Sequence, residues 1–218
     1  QVVGGELQTI LHLSNARETS DYKVWIYTES PWQQYNTATS VITEGDTLVL
    51  PPDIRKLFYG CYYLETIDTT KWDTQYAERM GYMFYGCGNL SLIQGISNWD
   101  MINTYDLQHM FENCSSLKTL NLTGWDLFRG TSISPWGYAS ALAMFKNSPI
   151  EDLRIGPNTF NNVEDTREMF MQMNVPKLDL SSWVPKHFEY YKDMFSGNTI
   201  LKKIYVNKEP GAGRWISN

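Results

Sequence analysis

The amino-acid sequence predicts an α/β repeat solenoid with a parallel β-sheet along one face and a β-rich N-terminal cap. Three observations predict it. The dipeptide Met-Phe recurs at Met83-Phe84, Met110-Phe111, Met144-Phe145, Met169-Phe170 and Met194-Phe195, with Leu57-Phe58 as an altered earlier copy. A short apolar alternation follows each Phe, clearest in Leu117-x-x-Leu120-x-Leu122, Val175-x-x-Leu178-x-Leu180 and Leu201-x-x-Ile204-x-Val206. About fourteen residues after each Phe stands an aromatic: Trp72, Trp99, Trp125, Phe160 and Trp183. Self-similarity at a fixed period marks stacked repeats.

The Phe-to-Phe spacings are 26, 27, 34, 25 and 25 residues. A period in the mid-twenties holds one short strand, a return arm and little else. Alternation in the Leu-x-x-Leu-x-Leu stretch turns apolar side chains inward and the intervening ones outward. One unit cannot bury its apolar face alone, whereas stacked units merge their Phe, Leu and Trp into continuous columns. The Asp that follows Trp in three copies (Asp73, Asp100, Asp126) can accept backbone N–H groups at the start of the return arm. Val163-x-x-Thr166-x-x-Met169-Phe170 has the spacing of a short helical return, which supplies the α part of the expected class. The second copy, Leu90 to Ile96, carries extra residues and Gly95.

The unit M-F-x-x-C-x-x-L-x-x-L-x-L…W-D resembles the Treponema-type leucine-rich repeat of BspA-like bacterial surface proteins, found also in mycoplasma-type lipoproteins. The resemblance covers about Pro51 to Val206. It implies a right-handed leucine-rich-repeat solenoid. It also implies an exported protein at a bacterial cell surface, or secreted, that meets other cells or host molecules. Trp-Asp becomes Phe160-Asn161 in the fourth copy and Trp183-Val184 in the fifth, and the cysteine column ends after three copies.

The expected organisation is an N-terminal cap over 1–50, about six coils over 51–206 with an insertion at 127–139, and a C-terminal cap or tail over 207–218. Within the cap, Lys23–Thr28 and Thr47–Leu50 read as strands, and Leu7–Leu13 reads also as a degenerate first repeat. Trp215 is placed to plug the lower end of the core. The chain opens on Gln1 without a leader-like stretch, and reads as a piece of something longer. No apolar run is long enough to span a bilayer as a helix.

Charge and chemistry narrow the function. With 18 Lys and Arg against 24 Asp and Glu, the net charge is -6, and no basic cluster stands out, so nucleic acid is not an expected partner. His12, His109 and His187 are neither paired at i, i+4 nor adjacent to a Cys, so no zinc site is expected. Nucleophile elbows, phosphate loops and calcium loops are absent from the sequence, no cofactor is called for, and an enzyme is not expected. Cys61, Cys87 and Cys114 fall in one column. Equivalent atoms of adjacent coils lie about 5 Å apart, so either a bridge or three buried thiols is open, and the Ser148 and Asn198 replacements favour buried thiols.

The outward positions of the strands form the candidate binding face: Asp68, Gln94, Asn121, Arg154, Asp179 and Tyr205, one per strand down the stack. Phe128, Trp136 and Tyr138 in the insertion are the second set, because insertions in solenoids map to loops and often to binding faces. The expected function is adhesion or recognition of a protein or glycoprotein by distributed contacts. A lectin that stacks sugars on exposed aromatics, and a structural spacer without ligand, are the alternatives.

Overall fold

The computed structural model describes residues 2–3, 6–7, 9–13, 37–43, 45–127, 134–135, 137–183 and 190–206. Its strands are β1 (Val2–Val3), β2 (Glu6–Leu7), β3 (Thr9–Leu13), β4 (Ala38–Thr43), β5 (Leu48–Val49), β6 (Thr66–Asp68) and β7 (Trp72–Asp73). There follow β8 (Leu92–Gln94), β9 (Thr119–Leu122), β10 (Ala139–Ser140), β11 (Asp152–Ile155), β12 (Val163–Asp165), β13 (Lys177–Leu180) and β14 (Lys203–Val206). They wind into a parallel-strand β-solenoid of about six turns. The main face is the run β3-β4-β6-β8, then β9-β11, then β13-β14, every neighbouring pair parallel. Among the described residues only β1 and β2 pair antiparallel. The degenerate copy read at Leu7–Leu13 coincides with β3, which pairs with β4 and so extends the ladder towards the N-terminus. The strands expected at Lys23–Thr28, the tail over 207–218 and Trp215 lie outside the described residues.

The α half of the expected class is wrong. Among the described residues the sole helical element is one 3₁₀ turn, Ile96–Asn98, and Val163–Asp165 is a strand. The segment around each Met-Phe imitates a helix because alternate N–H groups reach three residues back. Leu57, Tyr59 and Cys61 donate to the carbonyls of Ile54, Lys56 and Phe58. The residues between them bond across coils instead: Ile54, Lys56, Phe58 and Gly60 donate to Arg79, Gly81, Met83 and Tyr85. The same weave recurs in the four coils below. It demands a left-handed residue two before and two after each Phe: Lys56 and Gly60, Tyr82 and Gly86, His109 and Asn113, Ala143 and Asn147, Glu168 and Gln172, Asp193 and Gly197. Only three of these twelve positions are Gly, although φ > 0 costs other residues about 1–2 kcal/mol. The backbone bonds on both sides of each residue hold them there.

The core is a set of columns. Phe58, Phe84, Phe111, Phe145, Phe170 and Phe195 stack ring on ring at 5.5–5.9 Å. Trp72, Trp99 and Trp125 stack at 5.6 and 6.0 Å, and Phe160 and Trp183 continue edge-on. Each indole N–H reaches the coil above: Trp72 to Thr43 Oγ1, Trp99 to Thr69 Oγ1, Trp125 to the Ile96 carbonyl and Trp183 to the Phe160 carbonyl. Strands β9 and β13 alternate exposed and buried residues as the Leu-x-Leu pattern predicts.

The three cysteines are buried and none is in a disulfide. The Sγ of Cys87 and Cys114 donate to the carbonyls of Phe58 and Phe84 one coil up, both at 3.1 Å. Ser148 Oγ and Asn198 Nδ2 make the same bond to Phe111 and Phe170. Four members of the column thus share a side chain with a proton to give, which explains why Ser and Asn can stand for Cys, while Met173 fills the same position in the fifth coil by burial alone.

A second polar column precedes the Met-Phe segments. Asp53, Arg79, Asp106 and Ser140 are joined in sequence by parallel bridges, then Ser140 to Asp165, then Asp165 to Tyr190. Asp53, Asp106, Ser140 and Asp165 each accept from the N–H two residues on, which opens the turn. Burial acts to raise the Asp53 carboxyl, but the hydrogen bonds from Arg55 and the charges of Arg55 and Arg79 outweigh it and leave it below the ordinary value. Asp106 accepts from the backbone of Gln108, and its burial prevails, pushing its carboxyl up.

Candidate functional site

The sheet face is built by outward side chains of strands whose inward ones fill the core. Between β8 and β9, and again between β11 and β13, no ladder joins the strands among the described residues. The first break lies just below the second copy, with its extra residues and its 3₁₀ turn. Gly95, at φ 85, packs against the backbone of Thr70, and Gly156 packs under Thr123, both on sides where the strands remain paired.

Each break opens a cleft. The upper one, of about 360 Å³, is lined by Leu92, Gln94, Ser97, Thr119, Asn121 and Arg154 among others. The lower one, of about 350 Å³, is lined by Asp152, Arg154, Lys177, Asp179, Ser181 and Ser182 among others. Arg154 and Asp152 border both clefts and form the ridge between them. Arg154 Nε and Nη2 lie 2.5–3.1 Å from the Asp152 carboxylate. That guanidinium holds the Asp152 carboxyl below its ordinary value.

Four of the expected site residues therefore line clefts: Gln94, Asn121, Arg154 and Asp179. Three members of the column also do structural service. Asp68 Oδ1 accepts from the N–H and hydroxyl of Thr70, Asn121 Oδ1 from those of Thr123, and Asp179 Oδ1 from those of Ser181. These bonds end each strand in a turn. The Ser181 hydroxyl and N–H keep the Asp179 carboxyl below its ordinary value. The recurring Asp/Asn-x-Thr/Ser at strand ends is the sequence signal for this role. Arg154 and Asp179 do not pair across strands, since each is held by a residue two positions away on its own chain segment. Tyr205 is half exposed on β14, opposite Asp179 in register.

The insertion lies elsewhere. Phe128 and Trp136 fall outside the described residues. Tyr138 precedes β10, which pairs with β12 and not with the sheet-face strands, and its ring lies 5.7 Å from that of Tyr190. Arg167 covers Tyr190 and pairs with Asp165. The clefts also gather Leu92, Asp152 and Lys177, outward residues of the same strands, and Ser97, Ser181 and Ser182 from the turns, none of which the sequence pattern marks as a site residue.

A third cluster covers the Met-Phe side. Tyr59 stacks on Tyr85 at 4.9 Å and Tyr82 on His109 at 4.5 Å, while Lys56 lies over Tyr59 and Tyr82. His109 Nδ1 is bonded to Glu112. Among the described residues no group of three His, Cys, Asp or Glu could hold a metal, and no helix is long and apolar enough to cross a membrane.

Fold and face together define a stacked-repeat β-solenoid with a clefted polar sheet. The chain belongs to the family described as Mycoplasma protein of unknown function, DUF285, whose model matches residues 52–136 and 131–207. No curated protein and no solved structure matches the chain.

Proposed function

We propose that this chain is a non-catalytic recognition module of the BspA-like, leucine-rich-repeat kind, right-handed in its winding and displayed outside a bacterial cell. Its partner is a protein or glycoprotein segment held along the sheet face. The observation that carries this reading is the pair of clefts on one polar face, separated by the Asp152–Arg154 ridge. A rigid scaffold that repeats polar side chains along an axis suits an extended partner, with affinity spread over several strands.

The test is binding of the purified chain to a panel of mucins and matrix glycoproteins, each intact and enzymatically deglycosylated. Binding that survives deglycosylation and weakens with substitutions on the sheet face supports the reading. Binding that disappears with the sugars supports the lectin alternative, which draws on the exposed and mutually edge-on rings of Tyr62 and Tyr63. The tyrosines of the Met-Phe side serve that alternative poorly, because their faces are covered by one another, by His109 and by Lys56. Absence of binding to the whole panel favours a spacer.

A further inference from the structure

The sheet face carries its charge unevenly. Down the first outward row, the uncharged Thr66, Leu92 and Thr119 give way to Asp152, Lys177 and Lys203. Strands β13 and β14 form a ladder, and Lys177 stands in register with Lys203, about 4.8 Å across it. Like charges directly opposite one another in a sheet are destabilising. Both side chains are exposed, as is that of Lys202 just before β14. The nearby acids are held elsewhere: Asp152 by Arg154, and Asp179 Oδ1 by the N–H and hydroxyl of Ser181. Lys177 lies close enough to help lower both carboxyls. Among the described residues, however, no ion pair joins Lys177, Lys202 or Lys203 to a carboxylate.

The chain as a whole has a net charge of -6, so this end of the face is a positive spot on a negative molecule. Such a spot draws an acidic ligand and orients it. Lysine ammonium groups on flexible stems accept ligand carboxylates at varied positions, as a run of acidic side chains presents them. Neither cleft of the face is lined by an aromatic ring on which a sugar could stack, which favours a polypeptide over a glycan. We infer that Lys177 and Lys203, with Lys202 beside them, form an anion subsite for an acidic run of Asp or Glu side chains in the partner polypeptide. The paired ammonium groups repel each other in the free chain, and a ligand carboxylate between them removes that cost. This rests on the reading of the sheet face as the recognition surface.

The experiment is calorimetric titration of the full chain with deca-glutamate, with a Gly-Ser decapeptide and with a heparin tetrasaccharide, alongside the glycoprotein panel. Deca-glutamate should bind and the Gly-Ser peptide should not, and the binding should fade in about 0.5 M salt, as exposed charge contacts do. Lys203→Gln should weaken deca-glutamate about fivefold, the upper scale for one exposed ion pair. The same variant should leave the thermal melt unchanged or raise it, because it removes a repulsion. A residue with a merely structural role would lower the melt. Lys177→Gln should act alike and stands in if Lys203→Gln unfolds. Lys192→Gln, an equal change of net charge at an exposed residue of the Met-Phe side, should leave the binding as it was. Deca-glutamate binding untouched by both sheet-face variants, or weakened as much by Lys192→Gln, overturns the subsite. Binding of the heparin tetrasaccharide alone overturns the polypeptide occupant in favour of a sulfated sugar. Silence towards deca-glutamate while the panel still binds through the sheet face overturns the inference and leaves the recognition module standing. Silence towards every probe sinks both.

Discussion

Cys114 gives its thiol proton to the carbonyl of Phe84, a residue 30 positions earlier and one coil above. The contact ties two columns together, since the ring of Phe84 stacks on Phe111 three residues before Cys114. Cys114→Ser should leave stability within about 0.5 kcal/mol, because Ser148 makes the same bond one coil below. Cys114→Ala should cost about 1 kcal/mol, the usual net worth of one hydrogen bond. Urea unfolding checks both, and an alanine variant as stable as serine would remove the donor role. Burial pushes the thiols of Cys87 and Cys114 well up, so neither should react with a disulfide reagent until the chain unfolds.

Phe111 lies at the middle of the six-ring column and is fully buried. Phe111→Ala should cost about 3–5 kcal/mol, through lost burial and a cavity open to two neighbouring coils. Phe195 ends the described stack and is partly buried, so Phe195→Ala should cost clearly less. Equal losses at the two sites would argue against a stack that is strongest at its centre.

Gly124 packs so tightly beneath Ser97 that a Cβ would fall 2.0 Å from a carbonyl oxygen. The obstacle is backbone and cannot rotate aside. Gly124→Ala should destabilise by more than about 2 kcal/mol, as overpacked interiors do. Gly60 has no heavy atom near its Cβ position, but its φ of 71 makes Gly60→Ala a milder loss of about 1–2 kcal/mol. Thermal melts of the two variants give the order.

Asp53 has a carboxyl lowered from its usual value by Arg55 and Arg79, against the pull of burial. A depressed folded-state pKa contributes stability that is fully present above the unfolded value and is lost as pH falls through the folded one. Arg55→Ala should therefore lower the urea midpoint at pH 6 and converge with the parent chain as pH falls through the lowered Asp53 value. Asp106 works in the opposite sense. Its carboxyl is raised by burial, so its ionisation weakens the fold as pH rises through that value, and Asp106→Asn should stabilise the chain at neutral pH. A difference between Arg55→Ala and the parent that stays constant down through the lowered Asp53 value would exclude the linkage.

The strand registers were readable before any coordinates, because alternation at Leu120 and Leu122 or Leu178 and Leu180 can be satisfied only by a half-buried strand. The columns of Phe and Trp followed from spacing alone. The Met-Phe segment was misread as helical. Its three-residue spacing is real in the bonds from Leu57 to Ile54 and from Tyr59 to Lys56, but the cross-coil bonds between them leave no sequence mark of their own. Left-handed positions usually announce themselves with Gly, and Tyr82, His109 and Glu168 give no such sign. On the sheet face the outward residues were legible and the clefts were not. A missing ladder depends on how far neighbouring coils stand apart, which the pattern of either strand does not carry.

The weave beside the Met-Phe column runs unbroken from coil to coil, from Ile54 down to Gln172. The sheet on the other flank is interrupted at two levels among the described residues. A rod fastened along one side and notched on the other bends about the fastened side. Tension that opens the notches spreads Gln94 from Asn121 and Arg154 from Asp179, while compression closes them. Curvature of the solenoid and the width of its clefts are therefore one mechanical variable, and a ligand that wedges the clefts open stiffens the rod in a bowed shape.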